Sequence, residues 1–130
     1  MVGRLAPSRN IHTTGLGEPW ATLCAHHKIL LVAYEMHGDQ VYPGYRYTPF
    51  ASLGSDYAEY SITCLSPAKI SNIASCCSAF TVIADEALRR AFQVENSRLS
   101  VNKNNPFANV ARQAAFTSGK SRLQSVLTYL

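Results

Sequence analysis

The chain has 130 residues, an apolar fraction of 47% and a charged fraction of 15%, values that suit one domain able to bury a core without metal or disulfide staples. Its net charge of +4 is unevenly held: residues 1–66 carry Arg4, Arg9, Lys28 and Arg46 against Glu18, Glu35, Asp39, Asp56 and Glu59, whereas after Glu95 only Arg98, Lys103, Arg112, Lys120 and Arg122 follow. No stretch approaches about 18 uninterrupted apolar residues, which excludes a spanning helix. Cys24, Cys64, Cys76 and Cys77 make no disulfide framework, so reduced thiols and an intracellular compartment, cytoplasmic or mitochondrial matrix, are expected.

Residues 1–17 lack acids and carry Arg4 and Arg9, the composition of a flexible arm or a mitochondrial transit segment, with residues 18–130 as a single α+β domain. Trp20, Leu23 and His27 would share one side of a short helix after Pro19, with Trp20 as a core anchor.

The run Lys28–Tyr47 reads as a β-hairpin. Two stretches of β-branched and aromatic residues flank His37-Gly38-Asp39-Gln40, and Gly38 can take the positive φ of a type II′ turn. Counting outward sorts Leu30, Val32, Tyr34, Met36, Val41, Tyr45 and Tyr47 onto one face. Glu35, His37, Gln40, Tyr42 and Arg46 fall on the other. Residues 48–55 are a loop, and Asp56–Leu65 alternates as a third strand. The expected sheet is therefore a three-stranded antiparallel β-meander.

Two C-terminal helices should cover its apolar face. Ser66-Pro67 opens the first, near 67–95, in which Ile70, Ile73, Cys77, Phe80 and Ala84 recur at helical steps. Asn105-Pro106 opens the second, 106–130, with an interruption at Gly119 before Leu123, Val126, Leu127 and Leu130.

The polar hairpin face is the candidate binding surface: Glu35, His37, Tyr42 and Arg46, joined by Glu59, since a guanidinium grips phosphate and an aromatic ring stacks bases. Arg112, Lys120 and Arg122 extend it through the basic C-terminal half. This predicts a small non-enzymatic binding or assembly protein contacting nucleic acid, a ribonucleoprotein, or a protein or homo-oligomeric partner. The alternatives are a metal-independent phosphodiesterase or ribonuclease using His37, Glu35 and Arg46, and a homo-oligomeric structural subunit.

No cofactor or metal is expected. Cys24, His26 and His27 lack the paired spacing of structural zinc sites, and Ser118-Gly119-Lys120-Ser121 lacks the first glycine of a phosphate-binding loop, which would fall at Ala114. The order of strands then helix is that of the double-stranded RNA-binding domain. That family sets a run of lysines where this chain has Lys69 alone, so no family resemblance is drawn.

Overall fold

Leu31-Val32-Ala33-Tyr34 is a continuous apolar run rather than an alternating one, the pattern of a strand covered on both faces. In the computed structural model, which describes residues 22–103 and 105–129, it forms strand β1 (Leu31–Tyr34), and Ala33 is buried. The expectations placed on residues 1–17, Trp20 and Leu130 lie outside the described residues.

β1 does not turn back on itself. It pairs in parallel with β2 (Ser61–Leu65), with Leu31 opposite Ser61 and Tyr34 opposite Cys64. The Leu31 amide donates to the Tyr60 carbonyl and the Glu35 amide to the Cys64 carbonyl, each at 2.9 Å, closing both ends of the ladder. Parallel strands cannot be joined by a two-residue turn, so residues 35–60 leave the sheet and return.

The hairpin expectation is thus corrected: residues 36–39 form a turn, with the Gly38 amide donating to the Glu35 carbonyl, and the chain from 40 to 49 is irregular. Gly38 is not at positive φ; among the described glycines only Gly44 is, at 89°. What Gly38 supplies is room, because a Cβ built there would lie 2.5 Å from Tyr47 Cε1.

The crossover is pinned by its own small core. Phe50 opens a 3₁₀ turn (Phe50–Ser52) and packs on Ala33, with Leu31, Leu53 and Tyr57 around the pair. Helix α1 (Ser55–Glu59) then leads into β2, which begins five residues later than the alternation from Asp56 predicts.

The third strand is not where the helix reading places it. Residues 67–72 turn once, a 3₁₀ turn follows (Ala74–Cys76), and β3 (Phe80–Ile83) runs antiparallel to β2, with Ile62 opposite Ile83 and Leu65 opposite Phe80. Phe-Thr-Val-Ile is β-branched and aromatic, and its strand preference overrides the helical spacing of Ile70, Ile73, Cys77 and Phe80. The fold is α+β with a three-stranded sheet in the order β1-β2-β3, but it is partly parallel rather than an antiparallel meander.

Helix α2 (Glu86–Arg98) starts at Asp85, whose side chain accepts from the Leu88 amide. Arg89 folds back and donates to the Ile83 and Ala84 carbonyls at 2.9 and 3.0 Å, tying α2 to the end of β3. Helix α3 (Pro106–Ser118) starts as predicted, with Asn105 accepting from the Phe107 amide and Pro106 in the first turn, and its Phe116 ring meets Phe80 of β3 edge-on at 5.9 Å. The interruption falls at Gly119, and α4 (Lys120–Tyr129) follows.

The connection between β2 and β3 is held by one hydroxyl. Ser66 Oγ donates to the Ser78 carbonyl at 2.5 Å and accepts from the Ala68 amide at 3.1 Å, and Ser66, Ala68 and Ser78 are all buried. Ser66→Ala strands a buried carbonyl and a buried amide, and should lower stability by about 2 kcal/mol. Urea unfolding checks this as a fall in midpoint at unchanged slope; an unchanged midpoint contradicts the clamp.

Candidate functional site

The clamp at Ser66 closes a loop that carries Lys69 just past the end of β2. Within it the Ser71 amide donates to the Pro67 carbonyl and the Ile73 amide to the Ala68 carbonyl, and Asn72 takes the left-handed conformation (φ 54°) that asparagine tolerates well. Lys69 is exposed, and no hydrogen bond or ion pair engages it among the described residues. It stands at the wall of a cleft of about 400 Å³ whose other linings are Gln40, Tyr42, Ile70, Asn72, Arg122, Leu123, Val126 and Leu127.

That cleft has a definite chemical character. Leu123, Val126 and Leu127 present one side of α4, with Ile70 adding to the apolar surface. Tyr42 contributes an aromatic ring and Gln40 and Asn72 contribute amides, while among the described residues the only charged linings are Lys69 and Arg122, with no aspartate or glutamate. A concave surface with two cations, no acid and an apolar flank suits an organic anion.

The residues singled out from sequence divide accordingly. Tyr42 and Arg122 meet in this cleft, although no hairpin brings them there. Glu35 does not: its Oε1 accepts from the Phe50 amide at 2.8 Å, and its buried Oε2 has no hydrogen-bond partner among the described residues, so it holds the crossover in place. The His37 ring pairs through Nδ1 with Gln40 Oε1 at 2.9 Å across the turn. Arg46 and Glu59 are exposed and in no ion pair among the described residues. Arg112 donates to Asn109 on its own helix at 3.1 Å, and Lys120 is exposed at the start of α4. No hydrogen bond or ion pair joins His37, Glu35 and Arg46 to one another among the described residues, and the hairpin register on which their convergence was argued is absent.

Lys69 is the residue the sequence reading passed over. The available signal was Ser66-Pro67-Ala68-Lys69 directly after an apolar strand, a turn that leaves one amine at the sheet's end. The reading absorbed it into a helix.

Beside the cleft, Tyr47 is half-buried over Gly38. Burial raises its phenol well above the ordinary value of 10.0, and the Glu35 carboxylate it faces, with Asp39 more weakly, raises it further. Burial likewise pushes the Cys64 thiol up, which keeps it protonated and inert near neutrality. All four cysteines stand free. No group of three or more histidine, cysteine or acidic side chains suited to a metal exists among the described residues, and no helix among them is long and apolar enough to cross a membrane.

Comparison with known proteins gives this cleft a context. No protein-family model matches the sequence. The chain is 36% identical over 108 residues to cystathionine beta-lyase PatB of Bacillus subtilis strain 168, an alignment that takes in 83% of this chain and 28% of the lyase. Among solved structures it superposes on OvoB with a TM-score of 0.89 at 34% identity, covering 95% of this chain and 33% of that one. It also superposes on the PLP-bound C-S lyase of Staphylococcus hominis with a TM-score of 0.76 at 30% identity, covering 87% of this chain and 28% of that one.

The chain thus spans about a third or less of the proteins it matches, and its fold resembles a fragment of the PLP aminotransferase fold. These likenesses overturn the expectation of a nucleic-acid-binding or assembly protein, and that of a ribonuclease: the relatives are enzymes of carbon–sulfur and amino-group chemistry. Of Arg112, Lys120 and Arg122, Arg122 lines the cleft.

The Tyr47 environment makes a pH prediction. A folded-state pKa above the unfolded one adds stability that is complete below pH 10.0 and is lost as pH climbs toward the folded value. Alkaline unfolding of Tyr47→Phe should therefore be less steep above pH 10.0 than that of the wild type, and tyrosinate absorbance should lose its latest step. Identical alkaline curves contradict the buried-phenol assignment.

Proposed function

We propose that the chain is a segment of a pyridoxal 5′-phosphate-dependent enzyme acting on sulfur-containing amino acids, and that Lys69 is the amine to which the cofactor's aldehyde carbon attaches. The single observation that supports this most is the coincidence of an unengaged lysine, set at the mouth of an acid-free cleft by a clamped loop, with 36% identity to a cystathionine beta-lyase.

The residues fit the group at both of its ends. The aldehyde calls for a primary amine free of ion pairs, which Lys69 supplies, and the phosphate calls for cationic and amide donors, which Arg122, Asn72 and Gln40 supply. Tyr42 and the apolar side of α4 suit the flat ring between them. When bound, the cofactor supplies an electron sink for the pair left on a substrate's α-carbon. The protein's part is positional: the Ser66 clamp fixes the loop, Ile70 and Leu123 add apolar surface to one wall, and Lys69 Nζ is the group that would take a proton from that carbon. With four free thiols, an intracellular setting belongs to the same proposal.

Incubation of the chain with pyridoxal 5′-phosphate, reduction with borohydride and peptide mass analysis tests it. The adduct should map to Lys69 and vanish in Lys69→Ala. Label spread evenly over Lys28, Lys69, Lys103 and Lys120, or undiminished by the substitution, overturns the assignment.

A further inference from the structure

We infer that Cys76 and Cys77, neither of which lines the Lys69 cleft, form a two-thiol site for a trivalent arsenical that carries one organic substituent. The two cysteines are consecutive and free, Cys76 half-buried and Cys77 exposed. Cys76 ends the 3₁₀ turn Ala74–Cys76, its amide donating to the Ile73 carbonyl, and the Cys77 amide donates to the Ala74 carbonyl. Cys77 then takes the left-handed conformation (φ 48°), which is unfavourable for a residue with a Cβ and is imposed by the surrounding structure. The alternation that sends neighbouring strand side chains to opposite faces does not hold in such a turn. Helix α3 lies against the turn, and the Ser78 carbonyl, next in the chain, is fixed by the Ser66 hydroxyl. The backbone carrying both thiols is therefore set before a ligand arrives, which lowers the cost of binding.

Three features of the pair select the ligand. Consecutive α-carbons joined by a trans peptide stand about 3.8 Å apart, less than the roughly 4.4 Å that an unstrained disulfide needs, so the two sulfurs are kept from joining directly. An atom inserted between them adds the missing reach. Among the described residues no third histidine, cysteine or acidic side chain completes a metal-binding group with the pair, so an ion that takes three or four protein ligands is not served. Between Lys69 and Asp85 the chain carries no charge, which favours a neutral ligand over a hydrated ion. An organic arsenoxide, R–As=O, meets all three conditions: it is uncharged, soft, and takes two sulfurs. Two As–S bonds form as the arsenic–oxygen bond breaks, both S–H protons pass to the oxygen, and one water leaves. Arsenic stays trivalent, so the step consumes no oxidant or reductant.

Phenylarsine oxide added to the full chain tests this. Intact mass should show one phenylarsenic group per chain, and the bound protein should resist alkylation at Cys76 and Cys77 together while Cys24 reacts as before. A small dithiol should reverse the adduct where a monothiol at equal concentration does not. Cys76→Ser and Cys77→Ser should each weaken binding about 100-fold, because the second bond is no longer formed within one chelate, and Cys24→Ser should leave it unchanged. Protection mapped to Cys24 or Cys64, alkylation of either member of the pair in the adduct, or wild-type affinity in either of the two paired-cysteine variants overturns the assignment. The protection map is read on the wild type, so it decides the matter even where a variant fails to fold. None of these readings involves Lys69 or its adduct, and they are separate from the proposed enzyme class.

Discussion

The parallel ladder between β1 and β2 is the constraint from which the rest follows. Its two terminal hydrogen bonds, from the Leu31 amide to Tyr60 and from the Glu35 amide to Cys64, align the ends of the two strands side by side. Everything between residues 35 and 60 is then a crossover that must fold over the sheet and find its own core. Phe50 on Ala33 supplies the apolar part, and the Glu35 carboxylate holding the Phe50 amide supplies the polar part. A carboxylate that seemed suited to catalysis is instead a bracket for the loop.

Because β2 then turns into β3 rather than into a helix, the loop between them lies at the sheet's end. Ser66 ties its two sides together, and the left-handed residues Asn72 and Cys77 give it a tight path. Lys69 is the one charged residue on that path, and α4 is laid across from it. The chemistry of the cleft is thus a consequence of strand pairing several steps removed. Among the described residues no carboxylate lines the cleft, so its charged linings are cationic.

What could be read from the residues depended on how local the signal was. Asn105-Pro106 and the Gly119 break were readable because a cap is decided by two or three neighbours. The strand at Ser61–Leu65 was readable from its alternation, though α1 consumed the residues before it. Two features were not. The partner of β1 is set by pairing across the crossover, and the polar turn at residues 37–40 offered a nearer partner that sorted side chains convincingly. β3 was hidden because Ile70, Ile73, Cys77 and Phe80 keep helical spacing by coincidence across a loop. Of the cleft, Tyr42 and Arg122 were named as parts of a basic aromatic surface, and Lys69 was not named because one lysine in a presumed helix carries no pattern.

Amide hydrogen exchange resolved by residue is the most direct measurement of this account. The amides of Leu31 and Glu35 should be protected together with those of β2, while the amides of residues 41 to 47 should exchange rapidly, since no strand ladder holds them. Strong matched protection of residues 30–36 and 41–47, with β2 protected only by β3, would mean that the chain reverses at Gly38 after all, and would contradict the parallel sheet on which the Lys69 cleft is built.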